Sequence, residues 1–423
     1  MKAHLLVPVV AGMLTLGITS GVAQASAPGV ARASAPAVVQ VRTTAAVTLS
    51  DFGGAETPVA IATLKAGSWT ISSNVTAVNF GSGDFVRCLL RANGALIDGG
   101  STVYLANRVA GLVDVGTVVS ASAVTVQVLC GHDTFAPSPG QFYIDGGATL
   151  TAVKGGPISA PGISSSGTPT VVESRSSSST SLSTGEFATV TSVHLGQGTW
   201  ALTGNGSAVD FVAGGDAAVC TLQGSGGAMK SGFVEVDVGE PDALVSNLEV
   251  DGTVTEPAGG GTADLACGAA FADDEVTMDP GASLTATRVT PPTVVNVPSK
   301  TVALPDAGGV LKTVVTKTMP AGAWRVRSDI EVGNHNPNNS FGGNADFLRC
   351  YLRANGVPID GGDTVEMTDD TAFETIVNAG SFTSSSTWTL TVRCSHDVAH
   401  TGEGHWSTVA GGTVVSVNKG PIA

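Results

Sequence analysis

Three histidines near one end of the chain, His396, His400 and His405, form an H-x3-H-x4-H run with Asp397 beside the first, and imidazoles at such spacing can hold zinc. A pair four residues apart meets on one face of a helix, but this stretch contains glycine and follows a strand-like run, so a polar loop is the simpler reading. Two acidic clusters offer the hard oxygen ligands that calcium takes: Asp273, Asp274, Glu275 and Asp279, then Asp360, Asp363, Glu366, Asp369 and Asp370. Neither has the EF-hand spacing. Asp360, Asp363 and Glu366 stand as calcium candidates, and no other cofactor is expected. His132-Asp133 and His396-Asp397 place an acid and a base side by side, yet adjacent strand residues point to opposite faces, and both pairs read as turn residues. The sequence contains no G-x-S-x-G elbow, no Gly-Lys-Ser/Thr phosphate loop and no His-Glu-x-x-His, so no catalytic constellation is expected.

Cysteine chemistry is better specified, because the chain repeats itself. Three segments open with Pro, a small residue and two valines, at Pro36, Pro169 and Pro292. Each reaches a glycine-containing turn and a tryptophan, Trp69, Trp200 or Trp324. A Cys-x-Leu strand follows at Cys88, Cys220 or Cys350, and a later strand ends in Cys130, Cys267 or Cys394. Two cysteines at equivalent positions in every copy favour the pairs Cys88–Cys130, Cys220–Cys267 and Cys350–Cys394 among the fifteen pairings that six cysteines allow. Six free thiols or a zinc site are the competing readings, but no Cys-x-x-Cys occurs.

The elements that position these residues are strands. Val86, Cys88, Leu90 and Ala92 alternate with Arg87, Leu89 and Arg91, the period of a half-buried strand, and Val124, Val126, Val128 and Cys130 repeat it. Asn93-Gly94 and Asn355-Gly356 supply two-residue hairpin turns. With 55 glycines, charged content of only 13% and hydrophobic content of 42%, the composition suits strands joined by tight turns. The expected fold is all-β: three tandem antiparallel β-sandwich, jelly-roll-like domains with one disulfide each.

Trp69, Trp200 and Trp324, present in every copy, are read as core residues rather than a ligand platform. Trp388 and Trp406 occur only in the third copy and, with Tyr351, are the aromatic candidates for a ligand-binding surface.

The Gly-then-aromatic strand starts at Trp69 and Trp324 and the Leu-x-x-Asn-Gly hairpins at Leu90 and Leu352 resemble the jelly-roll family of complement globular heads and tumour-necrosis-factor-like trimerising domains. Similar cysteine-bearing units recur in exported actinobacterial proteins of unassigned function. The resemblance implies trimeric packing about a threefold axis lined by outward strand faces, which here means Phe85, Arg87 and Leu89 with Phe347, Arg349 and Tyr351. Phe85, Arg87, Phe347 and Arg349 are thus interface candidates, and three copies on one chain allow an intramolecular pseudo-trimer or self-assembly. The middle copy has Ala217, Val219 and Thr221 at the matching places.

Charge is concentrated in that middle copy. Between Thr168 and Thr290 stand 16 acidic and 3 basic residues, against a net charge of −15 for the whole chain. Such a field disfavours nucleic acid and anionic membranes and suits a basic partner, calcium or simple solubility. Lys2 and His4 precede an apolar run from Leu5 to Ile18, and Ala23-Gln24-Ala25 ends before Ser26, which predicts a secretory signal peptide. The run is too short to span a bilayer, and no later segment reads as membrane-inserted. The domain reading is a signal peptide over 1–25, a linker over 26–36, repeats over 37–158, 169–289 and 293–423, and linkers over 159–168 and 290–292. These features lead to the expectation of a secreted, extracellular, non-catalytic binding or assembly protein facing an unknown protein or a cell-wall glycan. A lectin-like carbohydrate-binding protein and a secreted hydrolase are the alternatives.

Overall fold

Alternating sequence becomes alternating burial along Asp84–Ala92, where Val86, Cys88, Leu90 and Ala92 face inward and Arg87 stays exposed. The computed structural model describes residues 38–79, 81–105, 108–133, 141–155, 158–160, 163–164, 170–210, 216–225, 227–231, 233–238, 245–270, 276–289, 294–298, 302–305, 307–334, 346–360, 362–367, 373–397, 406–408 and 414–420. The segments read as a signal peptide and N-terminal linker, as well as His400, His405, Asp273, Asp274, Glu275, Asp369, Asp370 and the side chain of Trp406, lie outside the described residues. The described residues hold strands and no helix.

Eight principal strands make up the first repeat: β1 (Val38–Arg42), β2 (Thr57–Leu64), β3 (Gly67–Asn79), β4 (Asp84–Ala92), β5 (Ser101–Leu105), β6 (Arg108–Ser120), β7 (Val124–His132) and β8 (Thr149–Gly155). They pair antiparallel into two sheets, in the orders β1-β8-β3-β6 and β2-β7-β4-β5. This is the connectivity of an eight-stranded jelly roll. The second repeat places β9 (Val171–Arg175), β10 (Ala188–Leu195), β11 (Gly198–Val209), β12 (Asp216–Ser225), β13 (Phe233–Val238), β14 (Val245–Glu256), β15 (Gly261–Ala269) and β16 (Ser283–Val289) in the same two orders. So does the third, with β17 (Val294–Pro298), β18 (Lys312–Met319), β19 (Gly322–Asn334), β20 (Asp346–Ala354), β21 (Asp363–Met367), β22 (Phe373–Ser384), β23 (Trp388–His396) and β24 (Val414–Gly420). Across the boundary between the first repeat and the stretch read as the 159–168 linker, Ile158–Ala160 adds to the sheet edge beside β9, and Ile163–Ser164 pairs with it.

Each sandwich encloses its own apolar cluster. All three cysteine pairs are disulfides, and each joins residues directly opposite in register on adjacent strands, β4 to β7, β12 to β15 and β20 to β23. Trp69, Trp200 and Trp324 are buried. Each indole Nε1 donates to the carbonyl four residues earlier, on Lys65, Gly196 and Pro320, at 2.8, 2.8 and 2.9 Å. Both hairpins bring Asn93 (φ 47) and Asn355 (φ 49) into the left-handed region together with their glycines, as a type I′ turn requires.

Trp388 corrects an expectation. It is 2% exposed and lies in the third core, 6.4 Å from Trp324 and 4.8 Å from Phe382 between ring centroids, so no ligand can stack on it. The cause is parity: Trp388, Leu390, Val392 and Cys394 form the inward row of β23, matching Val124, Val126, Val128 and Cys130 of β7. His132 also departs from the turn reading. It ends β7 fully buried, with Nδ1 3.1 Å from Asp84 Oδ2, Nε2 2.6 Å from Ser50 O and its ring stacked on Phe142.

Candidate functional site

The sequence of β3 alternates Trp69, Ile71, Val75 and Ala77 with Thr70, Ser72, Asn74 and Thr76, which by itself describes a strand with one wet face. Yet residues 69–79 are buried without a break, and β11 behaves the same way. Strands buried on both faces need a second cover. Here the other repeats supply it. Strand β5 of the first repeat packs against β14 of the second, β13 of the second against β22 of the third, and β21 of the third against β6 of the first. Equivalent strands therefore meet in the same sense at all three junctions, which closes a head-to-tail ring about a pseudo-threefold axis.

Hydrogen bonds follow that symmetry. Ser207 Oγ accepts from Thr102 N at 3.0 Å, and Thr76, its equivalent, donates its hydroxyl to Asp363 Oδ1 at 2.9 Å. Asn205 Nδ2 donates to Val113 O at 3.1 Å, and Asn74 Nδ2 donates to Val377 O. The third equivalent is Asp329, whose Oδ2 accepts from Asp251 N at 3.2 Å. Thr70, Ala201 and Arg325, each following its repeat's tryptophan, line one small cavity together. Gly111, Asn247 and Thr375, again equivalent, line another.

Charge breaks the symmetry. Arg325 and Arg327 of the third repeat lie buried opposite Glu249 and Asp251 of the second, where the first repeat has the uncharged Thr70, Ser72, Val113 and Val115. Arg327 donates from Nε to Glu249 Oε1 at 2.9 Å and from its terminal nitrogen to Oε2, and its Nε lies 3.6 Å from Asp251. Burial and the neighbouring Arg327 push the Arg325 guanidinium down to about 10. Burial raises the Glu249 carboxyl, while Arg327 opposes the rise. Part of the second repeat's acidity is thus matched by basic residues of the same chain.

The calcium candidates do not form a cation site. Asp360 Oδ2 accepts from Leu352 N at 2.8 Å, Asp363 accepts from Thr76, Thr364 N and Val377 N, and Glu366 Oε2 accepts from Val109 N at 3.1 Å. All three are buried, with oxygens turned to different donors rather than converging on one point. No group of three His, Cys, Asp or Glu among the described residues is arranged to hold a metal.

Phe85, Arg87, Phe347, Arg349 and Tyr351 lie on the outward faces of β4 and β20, not on the axis. Arg87 Nε donates to Thr102 Oγ1 at 2.9 Å and its charge reaches Asp279 of the second repeat, opposing the rise that burial imposes on that carboxyl. Arg349 Nε donates to Thr364 Oγ1 at 2.6 Å, and its terminal nitrogen lies 3.8 Å from Asp145 of the first repeat. Both arginines therefore sit at the outer rim of a junction. Phe85 packs on Tyr104 at 5.0 Å between centroids, and the Tyr351 ring lies over Gly362. Residues that line the axis instead come from β3, β6 and their equivalents. Their sequence signal is the complementary pair Arg325-x-Arg327 and Glu249-x-Asp251, each with strand periodicity.

No protein-family model matches the chain, and no curated protein matches it. Among solved structures it is similar to one described under the triple jelly roll fold and turret assembly in an archaeal virus, with 11% identity, 86% of this chain and 83% of that chain covered, and a TM-score of 0.20. A structure of Sulfolobus Turreted Icosahedral Virus follows at 12% identity, 85% and 82% coverage and a TM-score of 0.19.

Proposed function

We propose that this chain is an exported, non-catalytic binding or assembly protein whose three repeats, as its domains, form one ring that presents equivalent loops to a protein or cell-surface partner. One observation carries the reading. Each repeat exposes a large apolar side chain beside an equivalent positive-φ glycine: Phe52 (68% exposed) near Gly54, Phe187 (47%) near Gly185 and Val310 (46%) next to Gly309. Exposed apolar residues are unremarkable singly, but the same loop carrying one in all three repeats is the pattern of a multivalent contact, in which linked weak sites bind together. The three disulfides suit an oxidising compartment, which supports export. Jelly-roll connectivity with cyclic packing supports a relation to the tumour-necrosis-factor-like class, realised within one chain.

The test is binding of the purified chain from Ser26 onward to immobilised cell-wall glycans and to cells, beside the variant Phe52→Ser/Phe187→Ser/Val310→Ser. Saturable binding that the variant loses supports the reading. Equal binding by the variant, or none by the parent, overturns it.

A further inference from the structure

Chain connectivity treats the three junctions unequally. The backbone passes from the first repeat to the second and from the second to the third, so both of those junctions are tethered. The junction of the third repeat with the first closes the ring through noncovalent contacts alone. Its chemistry also differs. Where the second and third repeats meet, carboxylates face Arg325 and Arg327. Where the first and second meet, Thr102 N, Ser207, Val113 and Asn247 exchange neutral hydrogen bonds, and the buried Glu173, which accepts from the Thr117 hydroxyl, is paired with Arg175 of its own repeat. The closing junction buries Asp363, Glu366 and Glu374 against mainly neutral donors.

Asp363 on β21 faces the Thr76 hydroxyl of β3, Val377 N of β22 and the backbone of Gly111 on β6, where an added Cβ would stand 2.5 Å from Oδ2. Glu366 faces Val109 N of β6. Glu374 on β22 faces Arg108 at 3.4 Å. Among the described residues, the cations near these groups are Arg108, which also reaches Glu366 O, and Arg349, whose charge acts on Asp363. Arg42 of the first repeat acts on neighbouring Asp360. Glu374 thus has the buried Arg108 as its partner, while Asp363 and Glu366 accept from neutral hydroxyl and backbone donors.

We propose that the ring opens at this junction when its carboxyls ionise, and that the two faces so exposed take a second copy of this chain, the third repeat of one molecule seating on the first repeat of the next. The exposed faces already fit each other, because they are the two sides of an existing head-to-tail contact, and such contacts close into larger rings or run on as chains. Burial holds the Asp363 and Glu374 carboxyls up to about 7. Their contribution is present while protonated, below ordinary carboxylate values, and is lost as pH rises through about 7. Opening belongs to the alkaline side.

Light scattering after size exclusion, at about pH 5 and about pH 9 over a tenfold range of concentration, tests this. The expected result is a monomer at the lower pH and reversible, concentration-dependent dimers or larger species at the higher, suppressed in Asp363→Asn/Glu374→Gln. Hydrogen exchange of the unaltered protein gives a second measurement, independent of the variant's folding. Val109 N–H, donated across the closing junction, is expected to lose protection at the higher pH by about tenfold more than Val113 N–H, donated across a tethered one. A monomer at both values, association equal in the variant, or parallel exchange of the two amides overturns the proposal.

Discussion

Arg327 of the third repeat and Glu249 of the second form a buried two-pronged ion pair at the ring axis, with Nε 2.9 Å from Oε1 and the terminal nitrogen on Oε2. Neither the first repeat nor a symmetric trimer of any one repeat could reproduce it. Three copies of Arg327 on an axis would repel, and three of Glu249 would lack a partner. The pair therefore encodes which repeat neighbours which, a use of buried charge better attested than stabilisation itself.

From this follows an asymmetry between single and double substitutions. Arg327→Leu removes the cation bonded to the buried Glu249, leaving Arg325 to act on Glu249 and Asp251 through its charge, and is expected to cost about 3–5 kcal/mol. Arg327→Leu/Glu249→Leu removes both members and is expected to recover most of that loss. Urea unfolding of the two variants measures the difference; a double variant less stable than either single one would refute the argument.

The two tryptophans that meet in the third core are expected to respond differently to the same change. Trp324 Nε1 donates to Pro320 O, whereas Trp388 Nε1 is buried without an acceptor among the described residues. Trp324→Phe loses area and a hydrogen bond. Trp388→Phe loses area but relieves an unsatisfied donor, so it is expected to be milder by about 1–2 kcal/mol. Equal costs would show that ring volume alone decides.

Much of this architecture is legible in the sequence, and the parts that are not have a common cause. Cysteine equivalence identifies the disulfides, Asn93-Gly94 marks its hairpin, and strand alternation finds the inward rows. The same parity also places Trp388 inward, in the row of Cys394, although its occurrence in one repeat suggests a surface role. The outward row Thr70, Ser72, Asn74 and Thr76 is different. Polar residues on alternate positions look the same whether water or another repeat covers them, and only the matched Arg325-x-Arg327 and Glu249-x-Asp251 betray the contact. Asp363 and Glu366 resemble cation ligands for a similar reason: a carboxylate that accepts from backbone N–H groups and one that binds a metal are the same residue type.

Loss of a disulfide is expected to act within its own repeat first. Cys88→Ala/Cys130→Ala frees β4 from β7 at a directly opposed pair and releases a loop of 42 residues, at an expected cost of about 2–5 kcal/mol. Hydrogen exchange on β4 and β7 should accelerate more than on β20 and β23, whose own disulfide persists. Uniform acceleration across the three repeats would mean that the ring unfolds only as a whole.

Stability should decline from mildly acidic to mildly alkaline conditions. Among the described residues, each carboxylate whose titration departs clearly from its ordinary value is raised, with burial the first cause. Asp114, Asp360, Asp363 and Glu374 reach about 7. The folded chain thus keeps protons that the unfolded chain releases near pH 4. The contribution of these groups is complete below that value, falls as pH rises and is lost above about 7. A higher Tm at about pH 5 than at about pH 8 is expected. Asp360→Asn should flatten part of the slope, since Asn retains an acceptor for Leu352 N but no longer titrates. A Tm that rises with pH across that interval would mean that ionised pairs such as Arg327 with Glu249 outweigh the buried, proton-holding carboxyls.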